Sequence, residues 1–221
     1  MKVAALYDVH GMPWPLEAVL REAGDERVDL VLFGGDLIEG PYPRRTLELA
    51  RGVEARFVRG NCEREPSDWD RAHLTREQLR WLADLPLTQS LDGVLYCHAA
   101  PEDDLPLTTA VTPDETVAAR FAGIDEPTVV IGHTHHQFDR RVGGLRVVSA
   151  GSVGMPYEGE VAAFWALVED GEPVLRRTPF DVERAIAETA ASDWPPAAAF
   201  VAENLRVAVS REEAIAQLER G

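Results

Sequence analysis

The chain has 221 residues, 45% hydrophobic and 27% charged, enough to bury a core and too apolar for a disordered segment. Its formal net charge of −16 opposes long polyanions and anionic membranes, so neither polymeric nucleic acid nor a membrane surface is an expected partner. The two cysteines make no disulfide framework, no apolar run approaches bilayer length, and Asp8 interrupts the N-terminal run too early for a signal peptide; a cytoplasmic location is expected.

Residues 2–7 read as a buried strand ending in Asp8-Val9-His10-Gly11. Pro13 and Pro15 suit the first turn of a helix running to about residue 23. Residues 29–33 form a second strand ending in Gly34-Gly35-Asp36, and a helix follows over 44–52. Residues 55–59 form a third strand, ending in Gly60-Asn61-Cys62-Glu63-Arg64. This alternation predicts βαβ units and a largely parallel sheet. Thr75 suits the N-cap of a helix over 75–83, and His73 before it reads as a solvated side chain.

The pattern then changes. Residues 88–97 read as a hairpin whose Asp92-Gly93 turn suits type I′ geometry, and the second strand ends in His98. A Pro-, Asp- and Thr-rich loop over 100–113 leads to a helix over 114–121. Residues 128–131 form a strand running into Gly132-His133-Thr134-His135, with His136 next in line and read as exposed. Two further hairpins follow, over 138–149 and 160–177, so the second half is antiparallel-rich and implies a second sheet packed on the first. Residues 181–191 and a stretch after Pro195-Pro196 to about 205 are helical, and Ser210 with Glu213 opens a last helix. A single domain is expected, with a core over 1–180 and a helical tail over 181–221 packed on one sheet.

Asp8, His10, Asp36, Asn61, His98, His133 and His135 all follow apolar runs. In open α/β sheets the carboxyl ends of strands meet in one crevice, so these side chains can converge. Any one of the non-histidine members alone would serve as a turn former. Together they exceed what a single tetrahedral metal needs and suit two metals sharing a carboxylate. Imidazole and carboxylate without thiolate favour Mn²⁺, Fe or Zn²⁺ over a soft site.

The ordered set Asp-x-His, Gly-Gly-Asp, Gly-Asn-x-Glu, a lone His and Gly-His-Thr-His resembles the calcineurin-like metallophosphoesterase superfamily, and most closely its small bacterial and archaeal phosphodiesterase-like members. The motifs span residues 8–135, and Ser149-Ala-Gly-Ser-Val-Gly154 also fits. The resemblance implies an α/β (α+β) sandwich, two packed mixed sheets flanked by helices, with the tail as an appendage. It implies one metal on Asp8, His10, Asp36 and His135, and another on Asp36, Asn61, His98 and His133. Two divalent transition metals are the implied cofactors, Mn²⁺ foremost, with Fe, Zn²⁺ or Ni²⁺ as alternatives. The implied chemistry is attack of a metal-bridging hydroxide held by Asp36, with no protein nucleophile.

Many members carry His after the Asn, positioned to protonate a leaving alkoxide; here Cys62 stands there, and members of the phosphodiesterase-like subgroup that the chain resembles often lack that His. Arg64 and Asn61 are candidates for holding a phosphate oxygen. Ser152 has no evident base, since the histidines are taken up by metal, and a serine-hydrolase reading does not follow. The expected function is hydrolysis of small or cyclic nucleotide phosphodiesters. The alternatives are a phosphomonoesterase, a dinucleoside-polyphosphate hydrolase, or a metal-binding interaction scaffold. The expected partner is a small phosphoester, and a homo-oligomer is compatible with the sequence.

Overall fold

A computed structural model describes residues 1–220. The strands and helices alternate first as β1 (Lys2–Leu6), α1 (Pro13–Asp25), β2 (Leu30–Phe33), α2 (Pro43–Arg51) and β3 (Ala55–Phe57). Three short helices follow, α3 (Asn61–Arg64), α4 (Asp68–His73) and α5 (Arg76–Ala83), of which only the last is legible in the sequence pattern. Then come β4 (Thr88–Leu91), β5 (Val94–Cys97), α6 (Asp114–Arg120), β6 (Thr128–Ile131), β7 (Gln137–Val142), β8 (Leu145–Ala150), β9 (Ala163–Glu169) and β10 (Glu172–Thr178). The tail carries α7 (Val182–Ala190), α8 (Ala197–Phe200), a π-helical turn (Val201–Leu205) and α9 (Arg211–Leu218).

The strands form two mixed five-stranded sheets, ordered β10-β9-β1-β2-β3 and β4-β5-β6-β8-β7. Within the first sheet β1, β2 and β3 run parallel; within the second, β5, β6 and β8 do. Period-2 alternation builds the layers. Val3, Ala5 and Tyr7 of the first sheet meet Val94, Tyr96, Val130 and Val148 of the second in the middle of the sandwich. The opposite face of β1, Ala4 and Leu6, packs against Leu16 and Val19 of α1. Val117 and Phe121 cover the outer face of the second sheet.

Two expectations are refined. The last hairpin returns to the first sheet, where β9 pairs antiparallel with β1. Its run Ala163-Phe-Trp-Ala-Leu-Val168 is buried throughout, which suits an interior strand covered on both faces and not an edge. The tail packs less on a sheet than on Met12 and Trp14, which bury Ala185, Phe200, Val201 and Leu205. The sheet faces are already covered by α1, α2 and α6, so the apolar side of the tail is left to the loop after β1. Asp92 and Gly93 both have positive φ, as the type I′ turn requires.

Candidate functional site

The parallel strands β1, β2, β3, β5 and β6 deliver their carboxyl ends to one edge of the sandwich, and all seven strand-end residues arrive there. The turns are tight and strained. Asp8, His10, Asp36, His133 and His135 each sit at φ between 48° and 68°, in the left-handed region that costs a non-glycine residue of order 1 kcal/mol or more. Only four other non-glycine residues do so, Arg27, Glu39, Asp92 and Asp170. Strain concentrated this way persists only where surrounding contacts impose it, and it marks functional loops. Close approach adds to the constraint: a Cβ on Gly60 would lie 2.2 Å from Asp36 Oδ1, and one on Gly132 2.5 Å from Asp8 Oδ2.

Two clusters result. Asp8, His10 and His135 form one; Asp36, His98 and His133 form the other. In the first, His10 Nε2 faces His135 Nε2 at 3.1 Å, and Asp8 Oδ1 lies 3.4 Å from His135 Nε2. In the second, His98 Nε2 lies 3.1 Å from His133 Nδ1 and 3.2 Å from Asn61 Oδ1. Asp36 Oδ2 stands between them, 3.5 Å from His98 Nε2 and 4.0 Å from His10 Nε2. Its other oxygen accepts the Cys62 N–H at 2.9 Å, which fixes the orientation of the carboxylate.

Backbone carbonyls set the imidazole tautomers. His98 Nδ1 donates to Gly34 O, His135 Nδ1 to Met155 O and His133 Nε2 to Leu105 O, because a carbonyl can only accept. Each ring therefore turns its other nitrogen into the cluster, the arrangement that orients metal-ligating histidines. In the neutral forms the bare nitrogens of His98 and His133 face each other, and this demands a proton or a metal ion between them. Asp8 Oδ1 is buried and accepts no hydrogen bond. Seven nitrogen and oxygen donors with such orphaned atoms fit divalent cations of hard to borderline character.

The protonation pattern agrees. Burial, helped by the neighbouring imidazoles, keeps His10 and His133 below the ordinary histidine value and so neutral. Burial opposes charge on His98 as well, but the Asp36, Asp8 and Glu63 carboxylates outweigh it and raise this ring to about 10. Burial would raise Asp36, yet His98, His10 and the Cys62 N–H hold it well below the carboxylate range.

Three residues at the site were not assigned from sequence. Glu63 is fully buried and accepts N–H bonds from Asp36 at 2.8 Å, Leu37 at 2.8 Å, Ile38 at 3.4 Å and Gly60 at 2.9 Å. It pins the Gly-Gly-Asp loop to the Gly-Asn loop, and burial, then the Asp36 charge, push it up to about 7. Its signal was the Glu of Gly-Asn-x-Glu. Glu39 accepts the Cys62 thiol at 2.5 Å, and the two stand with His10 in a further group of potential ligands. Tyr157 stacks on His135, ring centroids 4.9 Å apart, and no motif announces it.

Other expectations fare differently. Arg64 Nε is held by both Asp104 oxygens at 3.0 and 3.1 Å, and its Nη1 pairs with Glu65. His136 is buried, not exposed: its Nδ1 donates to Thr134 O and its Nε2 accepts the Ala110 N–H. The chain turns into β7 directly after it, and alternation sends the ring inward. His73 is half-buried, stacked on Trp69 at 3.8 Å. Ser152 is buried, donating to Asp8 O at 2.7 Å and accepting the Met155 N–H at 2.8 Å; it supports the Asp8 turn.

Fold and site thus define a two-sheet α/β protein with paired histidine–carboxylate clusters at the strand ends. The chain belongs to the calcineurin-like phosphoesterase superfamily, whose domain matches residues 1–170, and members of this family are metal-dependent phosphoesterases. Similar solved structures include a metallophosphoesterase from Sphaerobacter thermophilus, 24% identical, TM-score 0.75, covering 90% of this chain and 97% of that one. A hypothetical protein from Pyrococcus horikoshii OT3 is 17% identical with TM-score 0.80, covering 92% and 98%. A novel archaeal phosphodiesterase is 16% identical with TM-score 0.53, covering 80% and 99%. No curated protein matches the chain. No helix among the described residues is long and apolar enough to cross a membrane.

Proposed function

We propose that the chain is a binuclear-metal phosphodiesterase acting on small or cyclic nucleotide diesters. The observation that carries this reading is Asp36 Oδ2, set 4.0 Å from His10 Nε2 and 3.5 Å from His98 Nε2, between two clusters of ligands. Asp8, His10, Asp36 and His135 would hold one metal; Asp36, Asn61, His98 and His133 would hold the other. Two divalent ions, Mn²⁺ foremost among Mn²⁺, Fe, Zn²⁺ and Ni²⁺, supply Lewis acidity at the phosphoryl oxygen and an acidified water as nucleophile.

The chain's own residues orient and select. Asp36 is fixed through Oδ1, and the carbonyls behind His98, His133 and His135 aim the ring nitrogens. Asn61 and Arg64 are the expected contacts to substrate, Arg64 through Nη2, the donor left over from Asp104 and Glu65. A diester brings one negative charge where a monoester brings nearly two. In a protein of net charge −16 the diester is the less repelled. At the position after Asn61 a buried thiol faces Glu39, and no imidazole stands there to protonate a poor leaving group. Leaving groups that depart without a proton are therefore favoured.

The tail belongs to the same unit in this reading. Arg211 pairs with Glu158, Val209 O accepts the Gly159 N–H at 2.8 Å, and Glu219 accepts the Thr109 and Thr112 hydroxyls, so the tail braces loops beside the histidines. The test is a panel of nitrophenyl mono- and diesters with Mn²⁺-loaded protein. Diester cleavage should dominate and a chelator should abolish it. Preferred cleavage of monoesters, or chelator-resistant activity, would overturn the reading.

A further inference from the structure

Beside His135 the loop after β8 and the tail enclose a cavity of about 270 Å³, lined by Met155, Tyr157, Glu203, Asn204, Val209 and Gln217 among others. Two of its lining residues contact His135. Met155 O accepts the His135 Nδ1 hydrogen at 2.8 Å, and the Tyr157 ring stacks on the His135 ring. The volume falls just below the usual range of small-molecule pockets and has room for one planar ring system.

The wall on the tail side has an unusual backbone. Residues Val201–Leu205 form a π-helical turn, closed by the Arg206 N–H on Val201 O at 3.0 Å, an i to i+5 bond. Such turns are rare and occur frequently at functional sites. This one carries Glu203 and Asn204 to the cavity, where α9 brings Gln217. Among the described residues, the Glu203, Asn204 and Gln217 side chains and the Tyr157 hydroxyl make no hydrogen bond to one another or to other groups. Apolar Met155 and Val209, an aromatic face, two free amides and a carboxylate thus share one small space.

We infer that this cavity is the site for a nucleobase, the organic group of the phosphoester held at the histidine–carboxylate cluster; the inference rests on the phosphodiesterase reading above. The base stacks on Tyr157, since every base has a π-face. Asn204 and Gln217 amides each donate and accept, matching the alternating edge of a base. Glu203 only accepts, so it selects bases with an exocyclic amino group. The neutrality of a base also suits this acidic protein. Glu203, Asn204 and Gln217 lie beyond residues 1–170, so selectivity resides largely in the part of the chain outside the superfamily match.

Isothermal titration of the Mn²⁺-loaded full chain with adenosine 5′-monophosphate and ribose 5-phosphate tests this. The nucleotide should bind at least about tenfold more tightly, the worth of two ordinary hydrogen bonds. The double substitution Asn204→Ala with Gln217→Ala, at a half-buried and an exposed position, and separately Glu203→Gln, should each narrow that gap, the double variant by about tenfold. Binding of the nucleotide without binding of ribose 5-phosphate would support the base site while undermining the phosphate reading. Equal binding of the two ligands would overturn the base site and leave the phosphoesterase reading standing. A preference that survives the double variant would also overturn it, and failure of both ligands to bind would overturn both readings.

Discussion

Replacing Glu63 with Gln removes one acceptor from the centre of the site while keeping shape and volume. In the native chain Glu63 Oε2 serves the Asp36 and Gly60 N–H groups and Oε1 serves those of Leu37 and Ile38. A glutamine oxygen can serve one pair, and its NH₂ then faces the N–H groups of the other. At pH 8, above the value of about 7 to which burial and Asp36 raise it, the native group is a carboxylate. A buried hydrogen bond to a charged group contributes about 1.5–3 kcal/mol, and an orphaned buried donor costs about 1–3 kcal/mol. The substitution should therefore destabilise by about 2–4 kcal/mol, lowering the melting temperature of a chain this size by roughly 10 °C. Because the same N–H groups shape the Asp36 turn, metal affinity should fall by about 10–100-fold, as for other groups that orient ligands. Calorimetric melting with and without metal, together with metal titration, reads both effects. A variant that melts with the wild type and binds metal equally well would show that Glu63 does not hold the two loops together.

Metal titration should also separate the two clusters. Asp36→Asn should weaken both metals and His10→Ala chiefly one, read as elements bound per chain after desalting. Metal uptake at pH 8 should release at least about one proton, because His98 is raised to about 10 and must give up its proton, while His10 and His133 are already neutral, and any ionisation of metal-bound water adds to it. Titrations in buffers of different ionisation enthalpy measure that number, and zero would contradict the assignment. The sign for stability follows from the same group. Its folded value exceeds the ordinary 6.5, so its contribution to the metal-free protein is full below 6.5 and fades as pH rises towards 10. Burial, then the Asp36, Glu63 and Glu39 carboxylates, push the Cys62 thiol far upward. A thiol reagent at pH 8 should thus find no fast-reacting cysteine until the protein unfolds, and Cys62→Ala should change nitrophenyl diester hydrolysis little.

The cluster was legible in the sequence because each member directly follows an apolar run, and parallel strands bring such ends together. The type I′ turn at Asp92-Gly93 was legible for an equally local reason, since both positions need positive φ. What escaped depends on contacts between distant segments. Glu63 stands in a motif, but three of its four N–H partners are supplied by a loop more than twenty residues earlier. Tyr157 and the π-helical turn carry no local signature, and the tail is placed by packing on Met12 and Trp14 and by its long-range pairs with Glu158, Gly159, Thr109 and Thr112. His136 neighbours two site histidines in sequence, yet strand alternation turns it into the core. The last hairpin could join either sheet on its pattern, and burial of both faces of β9 decides for the first.

The count of metal ions per chain tests the central claim most directly. Purified wild-type protein, saturated with Mn²⁺ and freed of excess, should hold two ions per chain by elemental analysis, because Asp36 stands between two groups of potential ligands. A single ion in the fully loaded protein would contradict the shared-carboxylate site and the two-metal chemistry built on it.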